Sequence, residues 1–140
     1  MVKDEIHNKQ KVHVSPGAFT ITLLSNGIIE VDWNADIGEI QLNHMKEIVE
    51  IVKEFGNGKK MPVYVTTLPF QQITIEAKQY VATEESQKYT LANAVLIDNL
   101  AKKLLFTFFI NINKPITPTK AFKSREDAHK WLLNLKKESK

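Results

Sequence analysis

The chain has no cysteine. Disulfides and thiol nucleophiles are therefore excluded, and a zinc site loses its commonest ligand. Arginine is nearly as scarce, with Arg125 the single one. Net charge is only +3, and the lysine excess sits towards the two ends, at Lys3, Lys9 and Lys11 and at Lys136, Lys137 and Lys140. A nucleic-acid surface clusters basic residues on one face with aromatics between them. The middle of this chain mixes both signs, so no nucleic-acid partner is expected. Long apolar runs are also missing. Leu104 to Ile110 is interrupted by Thr107 and falls far short of the roughly 20 residues that span a bilayer. The glycines Gly17, Gly27, Gly38, Gly56 and Gly58 match neither G-x-G-x-x-G nor Walker spacing. Ser15 and Ser25 lie in no nucleophile elbow. The first nine residues are charged and lack an apolar signal core. No leader and no membrane span are expected, and a cytoplasmic location follows as the expectation.

What is present suits one globular domain. A chain of 140 residues buries roughly two-thirds of its unfolded surface, enough for a core without staples. Residues 1–17 are polar and read as a loosely ordered lead-in, with room for a short strand at Lys11 to Ser15. Phe19, Ile21 and Leu23 alternate with threonines, and Ile29, Val31 and Trp33 alternate with acids. Asn26-Gly27 between them predicts a type I′ hairpin. Asp36 is a plausible cap for a helix from Ile37 to Phe55, with Ile48, Ile51 and Phe55 on its apolar face. Met61 to Val65 reads as a strand, Thr74 caps a helix from Ile75, and Thr83 starts a shorter one.

Ala92 to Phe122 organises the rest. Val95-Leu96-Ile97 is a short apolar run, as in a strand buried on both faces. Leu100, Leu104 and Phe108 then recur at helical spacing, and Pro115 and Pro118 forbid continuation. Thr119 to Phe122 is a second strand. Strand, crossover helix and strand make a βαβ unit. Ser124 with Asp127 fits a capping box for the last helix, which carries Ala128, Trp131 and Leu132. The expected fold is α/β: a mixed sheet of about five strands opened by an antiparallel hairpin and covered by about four helices, in the order ββαβαβαβα. One domain is expected at 18–136, with a frayed tail at 137–140.

The residues indicate no reaction. His7, His13, His44 and His129 form no metal-ligand pair, and structural or solvated roles are expected, with His44 at the edge of an apolar stripe and His129 on the exposed side of its helix. The pairs Glu84-Glu85 and Glu126-Asp127 sit at helix starts, where the helix dipole accounts for them. No catalytic residue, cofactor or metal is assigned. Phe106 and Phe109, with Leu68 and Phe70 in the loop between Thr66 and Gln72, are candidates for a partner or ligand surface, against a simpler role in packing. Phe106 lies off the main stripe and is the better placed to reach a pocket. Thr74 is a candidate phosphoacceptor as well as a cap, since phosphate is stabilised at a helix start. Phosphoproteomics, or Thr74→Glu tested against a binding partner, decides between the two roles.

The segments Glu76 to Tyr80, Ala92 to Leu105 and Phe122 to Leu132, taken with the order of elements, resemble small bacterial STAS-like, SpoIIAA-like domains related to anti-sigma-factor antagonists. The resemblance covers roughly 18–135. It implies a mixed sheet under helices and a non-enzymatic module that works by binding. In such antagonists a Ser or Thr at the second main helix is phosphorylated by a partner kinase. Thr74 alone matches that position, because Gln71-Gln72-Ile73 precede it without the family's acidic residue. A protein partner or a second copy, in a homodimer, is the first expectation. A small apolar, lipid-like ligand is the alternative.

Overall fold

Apolar–polar alternation builds the start of the sheet. In the computed structural model, which describes residues 8–66, 72–112 and 116–139, β1 (Lys9–Ser15), β2 (Phe19–Leu24) and β3 (Ile29–Trp33) form an antiparallel meander. Residues 9–15 of the lead-in are thus an edge strand, whose pairing with β2 slips between Lys9 and Lys11. The hairpin differs from its predicted type. Gly27 N–H donates to Leu24 O, and Leu24 N–H donates to Ile28 O. Gly27 alone of the central pair has positive φ. The loop is therefore three residues long, a tight turn closed by a left-handed glycine, and not a two-residue I′ turn.

The parallel half follows by repetition. β5 (Met61–Val65) lies beside β3, β7 (Thr90–Leu96) beside β5, and β8 (Thr119–Phe122) beside β7, all parallel. The sheet order β1-β2-β3-β5-β7-β8 means that each crossover steps the same way. Right-handed crossovers then place their helices on one face. Those helices are α1 (Leu42–Phe55), α2 (Ile75–Val81) with α3 (Glu84–Gln87), and α4 (Leu100–Ile112). α5 (Arg125–Glu138) returns across the other face. The six-stranded sheet and five helices exceed the expected count by one each, the added strand being β1.

Two local expectations are corrected. Asp36 does not cap α1. Its N–H bonds Asn34 Oδ1 in a turn, and Gly38 at φ 71° breaks any helix there. The chain makes a two-residue strand, β4 (Glu39–Ile40), paired in parallel with β6 (Gln72–Ile73). Gln41 caps α1 instead, its N–H donating to His44 Nδ1 at 2.9 Å. The apolar stripe of α4 is likewise not all inward: Leu100 is 70% exposed and Leu104 62%, while Lys102 is buried and pairs with Asp98. Periodicity identified the helix but not its inner face.

The sheet separates two cores. Towards α1, Phe19, Ile21, Ile29, Val31 and Val63 meet Ile48, Val52 and Phe55. Towards α5, Ile28, Tyr64, Ala92 and Ala94 meet Ala128 and Leu132. The alanines of β7 let α5 lie close to the strands. The helix caps form as the sequence implies: Thr74 Oγ1 accepts from Ala77 N–H, Thr83 Oγ1 from Ser86 N–H, and Ser124 Oγ from Asp127 N–H.

Candidate functional site

On the crossover-helix face the apolar layer is incomplete and leaves a cavity of about 280 Å³. Its floor is made by alternate strand positions: Val31 and Trp33 of β3, Val63 and Val65 of β5, Asn93 and Val95 of β7, and Thr119 of β8. The wall from α1 is Met45, Ile48, Val49 and Val52, one stripe at helical spacing. Ile40 and Ile73, from the two short paired strands, and Val81 with Ala82 close the top. Among the described residues, Phe106 is the contribution of α4, and no lining residue carries a charge.

Polar groups enter from one side, at α3 and the start of β7. Most are already engaged. Ser86 Oγ lies within hydrogen-bonding distance of Val81 O and Thr83 O, at 2.9 and 3.0 Å. Gln87 Nε2 donates to Val81 O, and Gln87 Oε1 accepts from Asn93 Nδ2 at 2.9 Å. Thr119 Oγ1 donates to Thr117 O. On α3, β7 and β8, two groups are left over. Among the described residues nothing donates to Asn93 Oδ1. The Thr90 hydroxyl, on a residue only 7% exposed, has no partner there either. Strict alternation would place Thr90 and Asn93 on opposite faces. The pairing of β5 with β7 slips between Met61 and Pro62, which turns both onto the cavity.

The predicted residues fall in different places. Phe106 lines the cavity. Leu68 and Phe70 lie outside the described residues, as does the side chain of Phe109. Thr74 stands at the start of α2 and does not line the cavity. His44 accepts the Gln41 N–H and meets Phe19 edge-on.

A polar cluster on the α5 face escaped the sequence reading. Glu30 Oε2 lies 2.6 Å from Arg125 Nε and 2.7 Å from His129 Nε2. His129, expected on the exposed side of its helix, is buried. The reason is that Arg125 and His129, four apart on α5, reach the acid that β3 turns to that face. Burial pushes the Glu30 carboxyl up, but the hydrogen bonds and charges of His129 and Arg125 outweigh it, and the net shift is below the ordinary value. Asp32, two residues on, is pushed up by burial and by the Glu30 charge. The i, i+4 spacing of Arg125 and His129 was the available signal. Since Glu30 Oε2 is held by both Arg125 and His129, the cluster reads as a structural tie. Among the described residues no group of acids, histidines or cysteines could hold a metal ion, and no helix is long and apolar enough to cross a membrane.

A family model described as Domain of unknown function (DUF7793) matches residues 22–136. Comparison with curated proteins finds no match. Among solved structures, an uncharacterised protein of the DUF3478 family from Shewanella loihica PV-4, with a SpoIIAA-like fold, covers 90% of this chain and 94% of its own at a TM-score of 0.51 and 12% identity. That likeness shows the fold, which is STAS-like and SpoIIAA-like as the sequence implied. A protein of unknown function from Arthrobacter sp. FB24 is 22% identical and covers 87% of this chain and 96% of its own, at a TM-score of 0.31 that carries no argument.

Proposed function

The chain belongs to the DUF7793 family, and from that premise we propose that it is a non-enzymatic, cytoplasmic STAS-like binding module whose ligand is a small apolar molecule. The observation that carries this reading is the partly open, mainly apolar cavity between the sheet and α1 to α4, with no charged residue among those described in its lining. Natural interiors leave few voids larger than a water. An apolar void of about 150 Å³ already admits benzene, and this one is nearly twice that. Its volume lies at the lower end of ligand pockets, so the ligand is small. Native mass spectrometry of the purified protein tests the reading. A co-purifying neutral mass, or saturable uptake of an added apolar probe, supports it. No bound mass and no uptake reject it. Val95→Phe, which fills the floor, should abolish uptake while the protein stays folded.

A second reading is favoured by a separate observation. Leu100 and Leu104 are exposed one turn apart on α4, and Leu100 borders an open groove with Ile97 and Phe122. Apolar side chains grouped in this way suit a protein partner or a second copy of the chain. Leu104→Lys should then convert a dimer seen by native mass spectrometry to monomer. A monomeric wild type rules out self-association by this face.

A further inference from the structure

The cavity's two unengaged polar groups say more about its occupant. We infer that the ligand is neutral and carries a hydrogen-bond donor, a hydroxyl, held at Asn93 and Thr90, with its apolar body among the valines of the floor and Phe106. This rests on the reading of the cavity as a ligand site.

Asn93 Nδ2 is committed to Gln87 Oε1, which orients the amide and leaves Oδ1 as an acceptor. Only a donor satisfies it. The Thr90 hydroxyl both donates and accepts, so it complements the oxygen of the same head group. An unmet buried polar group is costly, and native structures rarely leave one. Here, among the described residues, a buried hydroxyl at Thr90 and a part-buried carbonyl oxygen at Asn93 are left on one wall, and the strand bulge is what presents them together. A carboxylate is excluded on two counts. It has no donor for Asn93 Oδ1, and among the described residues no lining side chain offers the positive charge that a buried anion requires.

Three probes of matched length separate the claims: 1-octanol as neutral donor, methyl heptanoate as neutral acceptor, and octanoate as anion. Affinities are read from probe-induced shifts in thermal unfolding and from titration calorimetry at neutral pH. The expected order is octanol tightest, the ester weaker by about tenfold, and octanoate weaker still, as for a site that hydrogen-bonds its ligand. Asn93→Leu should bring octanol down to the ester's affinity and leave the ester unchanged. Thr90→Val, close to the same shape, gives a second variant should Asn93→Leu fail to fold, and it should also weaken octanol selectively. Equal affinities for octanol and ester, or a preference for octanoate, would overturn the inference while leaving an apolar pocket in place. Failure of all three probes would overturn the ligand reading itself.

Discussion

At the residue scale the largest electrostatic commitment is Glu30. It is buried, and a single oxygen takes both Arg125 and His129. Removing Glu30 leaves the buried His129 without its partner, while Arg125, 42% exposed, stays solvated. Glu30→Ala should therefore lower the urea midpoint strongly. The same carboxyl sets an acid limit. Its pKa is lower folded than unfolded, so its stabilisation is complete above the ordinary value of 4.5 and drains away as pH falls through the folded value. Urea midpoints measured between neutrality and strongly acid pH should fall there, and Glu30→Gln should flatten that part of the curve. Asp32 has the opposite sign. Its ionised form is disfavoured in the fold, so Asp32→Asn should be neutral or stabilising at neutral pH. A marked drop in unfolding temperature would contradict that. Thr74→Ala removes the cap of α2 and should cost about 1 kcal/mol, read by the same denaturation.

The element scale shows which parts of the sequence spoke clearly. Alternation in β2 and β3, the β-branched run of β5, and the Ser124 cap are local signals, and local backbone geometry answers to them. Two signals were outvoted. Asn34 and Gly38 both favour turns, and together they moved the start of α1 from the expected Ile37 to Leu42. In α4, apolar residues occur on more than one side, so spacing alone could not say that Lys102 would go in and Leu104 out. The distinction has a measurable form. Leu104→Gln should change stability by less than about 0.5 kcal/mol, as for an exposed site. Phe106→Ala removes part of the cavity wall and should weaken any ligand more than it lowers the unfolding midpoint. Asn93 and Thr90 were unreadable for another reason: their shared direction depends on a slip in strand pairing, which depends on β5.

At the scale of the whole molecule, the consistent direction of the crossovers decides where a ligand can sit. Doubly wound sheets open a crevice where the strand order reverses. This sheet never reverses after β3, so three crossovers crowd one face and α5 serves the other alone. The cavity follows from that crowding: α2 and α3 are short, and together they do not fill the space that one long helix would. The βαβ expectation for Ala92 to Phe122 foresaw the parallel pair β7 and β8. The Glu30 tie was hidden because its members stand 95 and 99 residues apart in the chain, beyond any local pattern.

The outermost strand has a consequence for solubility. Among the described residues no strand pairs with the outer rim of β1, which is where another molecule would zip on and seed fibres. Lys9 and Lys11 stand on that rim, and the slip between them spoils the straight run such zipping requires. Replacing both lysines with threonine should leave the protein's circular-dichroism spectrum unchanged and shorten the lag before light scattering rises at high concentration.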